Sequence, residues 1–270
     1  MIAISAPATH QAKQSAIQWA RVVLVKNRPW ILFLRVVIPS LILSMLGALF
    51  VASGPAEMDV ATAGTPGADA IPLVLIGYLI VGQLVVLLSC GWIHLREITS
   101  KELGLSYTVF PSRLKLITGE ALIAAAVGAA ASFVSVLGAF TVYAVVAKID
   151  LGAMFSATSV LNALGRVPLT AALLAVIALA LAVLIRNPIV TVLVVVVWAS
   201  VGEDLLARIP GIGSALQSAA PLTNSYYFNG MTATPGIAGN PWLCFAWLAA
   251  VCAVLFALAV AIESRRKSYM

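Results

Sequence analysis

Charge-free apolar runs alternate along the chain with polar interruptions, and the longest interruption between two charge-free runs is His94–Glu120. Ile71–Ile93 and Ala121–Ala147 hold no charged residue, whereas His94–Glu120 between them holds Arg96, Glu97, Lys101, Glu102, Arg113, Lys115 and Glu120. A bilayer core about 30 Å thick is crossed by roughly 20 helical residues. Six segments of suitable length follow one another, at about 30–53, 71–93, 116–147, 167–185, 188–207 and 241–262. The pattern predicts an all-α polytopic membrane protein, with residues 1–270 forming a single transmembrane domain.

The interruptions differ in character. Residues 10–29 place Gln14, Gln18, Arg21, Val25 and Arg28 on one helical face and Ala16, Ile17, Ala20, Val23 and Leu24 on the other. That spacing reads as an amphipathic helix along the membrane surface, against the simpler reading of a polar extension of the first span. Residues 54–70 hold Glu57, Asp59 and Asp69 with no basic residue, and 148–166 hold Lys148, Asp150 and Arg166. Arg186-Asn187-Pro188 makes a tight turn between spans four and five. Residues 208–240 are too rich in glycine, proline and polar side chains to cross, so an outer re-entrant segment is expected there. Within it, Ile209–Ala219 is read as short helices dipping partway into the outer leaflet. Pro72, Pro168, Pro188 and Pro241 are placed in the first turn of a span, where a missing N–H does no harm, and Pro39 is expected to kink the first span.

Composition agrees with this reading. The chain is 62% hydrophobic and 10% charged, with a mean hydropathy of +1.06, against roughly 45–50% apolar and about 25% charged for a soluble domain. The net charge of +6 does not point to nucleic acid, because no soluble domain carries it. Topology accounts for it instead. Lys13, Arg21, Lys26 and Arg28 precede the first span, and Arg96, Lys101, Arg113 and Lys115 follow the second. Arg186, Arg265, Arg266 and Lys267 complete that side, against only Lys148, Arg166 and Arg208 on the other. Both termini are therefore expected in the cytoplasm. Residues 1–29 lack the short apolar core and cleavage site of a signal peptide, so the first span is read as an uncleaved anchor with Trp30 at its interface.

A few residues stand out inside or beside the spans. Arg35 lies about a turn inside span one and is read as snorkelling to the inner interface. Gln83 sits near the middle of span two, where an amide needs a partner or water. Interhelical hydrogen bonding and a place on a transport path both fit it. Glu203 and Asp204, near the outer end of span five, either cap and pair within the outer segment or line an exit route. Ala121, Ala124, Gly128 and Ser132 recur along one side of span three and read as a tightly packed helix face. Cys90, Cys244 and Cys252 lie within apolar spans, show no metal-ligand spacing, and are read as packing residues.

The order of these features resembles the ABC-2-type permeases, the membrane subunits of ABC exporters. The matching stretches are Arg96-Glu97 after span two and Phe110-Pro111-Ser112-Arg113-Leu114 before span three. Leu181–Arg186 closes span four, and Val201–Leu206 precedes Ile209-Pro210-Gly211-Ile212. Each motif is short, and it is their order over nearly the whole chain that carries the resemblance. It implies that residues 94–115 form a coupling loop docked on an ATP-binding subunit, through Arg96, Glu97, Lys101, Glu102, Tyr107, Pro111 and Arg113. Thr99-x-x-Glu102 is then read as a capping box opening a short helix that Gly104 ends. It also implies a second permease copy or a related permease, and residence in the inner membrane of a bacterium. ATP and Mg are expected on the partner subunit, since this chain holds no GxxxxGK[ST] sequence.

Competing readings are weaker. An ion-coupled secondary transporter usually shows intramembrane ionisable residues and inverted repeats, but spans two, four and six lack charge, as does span three beyond Glu120 at its start. An intramembrane hydrolase needs a nucleophile beside a base. The only histidines, His10 and His94, are expected on the membrane face opposite Ser214. A non-transporting sensor or immunity subunit of an ABC complex shares the coupling-loop expectation. The expected cargo of an exporter is hydrophobic or amphipathic: a drug, lipid or lipopeptide.

Overall fold

The computed structural model describes residues 29–53, 71–100, 113–231, 236–237 and 239–265, which are helical with connecting turns and contain no strand. Among them, six helices are long and apolar enough to cross a membrane: Trp30–Ala52, Tyr78–Thr99, Leu114–Val146, Thr158–Ile185, Pro188–Ala207 and Pro241–Arg265. The expected surface helix at 10–29 lies, except for Pro29, outside the described residues.

Span one is α1 (Pro29–Ala52), which runs unbroken through Pro39. Span two is approached by α2 (Ile71–Val74), opens with a π-helical turn at Tyr78–Gly82 and continues as α3 (Gln83–Thr99). Span three is α4 (Arg113–Val146). A short α5 (Leu151–Ser156), capped by Asp150, leads to span four, α6 (Thr158–Ile185). Span five joins α7 (Pro188–Val197), a π-helical turn at Trp198–Gly202 and α8 (Glu203–Ala207). Short helices α9 (Gly213–Ala219) and α10 (Pro221–Phe228) precede span six, α11 (Pro241–Arg265).

Two boundaries depart from the sequence reading. Span two runs to Thr99 rather than ending near Ile93, because His94, Leu95 and Glu97 are buried against the bundle instead of facing water. Thr99 and Ser100 end it by turning their hydroxyls back onto the carbonyls of Leu95 and Arg96. The Thr99 hydroxyl donates back into α3; Glu102 and Gly104, the rest of the expected capping box, lie outside the described residues. Span four starts at Thr158 rather than near 167, which places Arg166 and Pro168 inside α6. Pro168 is thus not a first-turn proline, unlike Pro188 and Pro241.

α1 packs along α4, α4 along α6, and α3 and α11 along α6. Close approach depends on small residues. A Cβ on Gly47 would stand 2.4 Å from the Gly77 nitrogen, and one on Gly77 would stand 2.2 Å from the Leu43 carbonyl oxygen, so α1 meets the approach to span two backbone against backbone. The small-residue face of span three is a contact face, with Ala121, Ala124 and Ser132 buried and Gly128 against Ala171 and Ala175 of α6. Ser40 and Ser135 satisfy one another across α1 and α4 at 2.9 Å. All three cysteines are free and buried. Spans two, three and four form the inner part of the bundle, with half or more of their most apolar stretch buried; spans one, five and six bury 28%, 17% and 22% of theirs. Those outer spans offer their apolar faces to lipid or to another protein.

Candidate functional site

The up-and-down order of the spans brings the start of α1, the end of α3, the start of α4, the α6–α7 turn and the end of α11 to one end of the bundle. Most charged side chains of the described residues gather there. Two buried acids in this cluster hold basic partners from other helices. His94 Nδ1 of α3 lies 2.9 Å from Glu120 Oε2 of α4, and neither side chain reaches solvent. Arg186 pairs with the buried Glu263 of α11, tying the turn after α6 to the end of span six. The turn itself is built by sequence. Arg186 adopts the left-handed conformation at φ 56°, and the Asn187 side chain accepts hydrogen bonds from the N–H groups of Ile189 and Val190, capping α7.

The residues of the expected coupling loop separate on this framework. Arg96 is exposed in the last turn of α3, while Glu97 next to it is buried at 2% exposure. Lys101, Glu102, Tyr107 and Pro111 lie outside the described residues. Arg113 is the first residue of α4, and its side chain is likewise outside them. Arg35 is exposed near the start of α1, and it shares with Arg96 a cavity of about 370 Å³ lined also by Trp92 and Val192.

The opposite end holds the segment between spans five and six. Glu203 is buried, and its carboxylate accepts from the Leu222 N–H at 2.7 Å, the Thr223 N–H at 2.6 Å and the Thr223 hydroxyl at 2.8 Å. Two orphan N–H donors at the start of α10, with the Thr223 hydroxyl beside them, are thereby satisfied by an acid placed where a helix N-terminus favours one. Asn224 ties α10 back to α9 through the carbonyls of Ser218 and Ala220. The Trp247 indole donates to the Ala219 carbonyl. Arg166 donates to the Phe228 carbonyl at 3.0 Å and lies over the rings of Phe228 and Trp242. Asp204 is exposed and borders, with Glu203, Gln217 and Tyr226, a small polar cavity of about 170 Å³. Burial, with the Glu203 and Asp204 carboxylates adding to it, pushes the Tyr226 phenol up to about 12. Gln83 is buried at the start of α3, directly after the π-helical turn.

Sequence reading missed the two cross-helix acid–base contacts, His94 with Glu120 and Arg186 with Glu263, and the anchoring of Arg166. A usable signal existed for the first. His94 directly follows one apolar run and Glu120 directly precedes the next, so both stand within a turn of the membrane and are placed to meet.

No protein-family model, curated protein or solved structure matches this chain. The fold defines its class: a polytopic α-helical membrane protein, with six helices among the described residues long and apolar enough to cross a membrane.

Proposed function

We propose that the chain is the permease subunit of an ATP-driven ABC-2-type exporter, acting beside a separate ATP-binding subunit that holds ATP and Mg. A second permease copy or a related permease completes the transport path, and the cargo is hydrophobic or amphipathic. The supporting observation is the bracing of the charged end. The polar segment between α3 and α4 is fastened to two helices that the buried His94–Glu120 pair locks together. A push on that segment from the cytoplasm would move spans two and three as one body instead of splaying them. Exposed Arg96 stands where a soluble partner can reach it. The uncovered faces of spans one, five and six leave room for a second permease.

The test is purification in mild detergent followed by identification of co-purifying chains and assay of vanadate-sensitive ATPase. A stoichiometric ATP-binding subunit, with export but not membrane insertion lost in Arg96→Ala, is the expected result. Arg96 is the informative position, because replacing buried Glu97 would disturb packing as well as docking. A lone protein silent as an ATPase in several detergents would overturn the proposal.

A further inference from the structure

Of the two arginines that share one cavity, Arg35 and Arg96, the transport reading uses only Arg96 and leaves the cavity itself without a role. It opens at the charged end of the bundle between spans one, two and five, and its walls include Ile31, Leu88, Trp92 and Val192. Two guanidinium groups line it, and no carboxylate does among the described residues. Like charges that line one cavity repel unless an anion lies between them, and the repulsion grows as the local dielectric falls. Arg35 is six residues along α1 from Pro29, about 9 Å into the helix at 1.5 Å per residue, which is the depth range of headgroups rather than of bulk water.

We propose that this cavity binds the headgroup of an acidic phospholipid from the adjoining leaflet. Arginine presents a planar fork of donors matched to phosphate oxygens, and basic pockets between membrane helices are suited to acidic headgroups. The Trp92 ring, 44% exposed, provides an amphipathic wall at the level where indoles prefer to sit. Ile31 and Val192, both also exposed, continue the wall outward along helices that face lipid. A volume of about 370 Å³ holds a glycerophosphate group with the acyl chains running out along those residues. That apolar continuation selects a lipid over a free anion, which would gain nothing from it. The assignment stands apart from the transport reading, and its test reads lipid binding without any ATPase.

The experiment is native mass spectrometry of the detergent-purified protein titrated with phosphatidylglycerol or phosphatidylcholine of matched acyl chains. The expected result is preferential retention of phosphatidylglycerol. Each arginine near an acidic headgroup contributes about fivefold in affinity, so Arg35→Gln with Arg96→Gln should lose roughly 25-fold. Arg208→Gln, which removes one charge at the other end, should bind as the parent does. If the double variant does not survive purification, the single variants decide, each with its own loss of about fivefold. Equal retention of phosphatidylcholine, or unchanged binding in the arginine variants, would overturn the proposal. Displacement of the lipid by inorganic phosphate at equal concentration would also overturn it, and would reassign the cavity to a free anion.

Discussion

His94 Nδ1 and Glu120 Oε2 stand 2.9 Å apart with both side chains at 0% exposure, and they join spans two and three at the end where the connecting polar segment leaves them. Removing one member leaves its buried partner without this hydrogen bond, at a cost of about 1–3 kcal/mol. His94→Leu should therefore destabilise the protein by that amount. The joint change His94→Leu with Glu120→Leu should recover much of it, since replacing both partners of a buried polar pair by apolar groups of similar shape is close to neutral. SDS-induced unfolding in mixed micelles measures both, and the double-mutant cycle isolates the coupling. Equal, additive losses would show that the pair does not fasten the two spans.

Glu203 places one carboxylate on three donors at the start of α10. Hydrogen bonds to a charged group contribute roughly 1.5–3 kcal/mol each, so Glu203→Ala should free α10 from span five. Amide exchange at Leu222 and Thr223 should then accelerate at least tenfold, the equivalent of about 1.4 kcal/mol of local stability. Glu203→Gln should fall between, because its amide oxygen still accepts while its NH2 faces donors. Hydrogen exchange read by mass spectrometry over 221–228 distinguishes the three proteins. Unchanged exchange in Glu203→Ala would make this capping incidental.

Arg166 shows where the sequence was readable and where it was not. Apolar runs placed all six spans, because length and hydropathy respond to the same bilayer that the helices must cross. Charge was the weaker guide. Arg166 looked like the end of a loop and Pro168 like the first turn of a span, yet both lie well inside α6. The guanidinium finds the Phe228 carbonyl and two aromatic rings, partners sixty or more residues away that no local pattern reveals. His94 and Glu97 were likewise read as loop because they are polar, although each is buried. The function of Glu203 was legible only as a pair of options, since a carboxylate beside a glycine-rich segment caps or conducts depending on which N–H groups arrive there. The small-residue face at Ala121, Ala124 and Gly128 was fully legible, because its spacing is set by the helix itself.

If Arg166 anchors rather than merely marks topology, its geometry should matter as well as its charge. Arg166→Lys keeps the charge but cannot reproduce the planar fork over Phe228 and Trp242, and should lose about 1–2 kcal/mol. Arg166→Ala should lose more, with the start of span six loosened. Thermal unfolding followed by tryptophan emission tests this, as Trp242 lies 5.9 Å from the guanidinium carbon. An unperturbed melting curve for both variants would return Arg166 to a topological role alone.

Glycines that let helices touch can be separated from glycines that do not. A Cβ on Gly128 would lie 2.9 Å from Ala175 Cβ and 3.2 Å from the Ala171 carbonyl oxygen, whereas one on Gly165 meets nothing within 4 Å. Gly128→Ala should therefore force spans three and four apart and lose about 1–3 kcal/mol, the usual cost of overpacking. Gly47→Ala should be worse, since the clash at 2.4–2.5 Å is with Gly77 backbone atoms that cannot rotate away. Gly165→Ala should instead gain roughly 0.5–1 kcal/mol, because alanine suits a helix interior better than glycine does. All three are read in one unfolding series in mixed micelles. The order Gly47→Ala below Gly128→Ala below the parent below Gly165→Ala is the signature of helix contact at the first two positions. A loss at Gly165 as large as at Gly128 would mean that helix propensity and packing have been assigned to the wrong faces of α6.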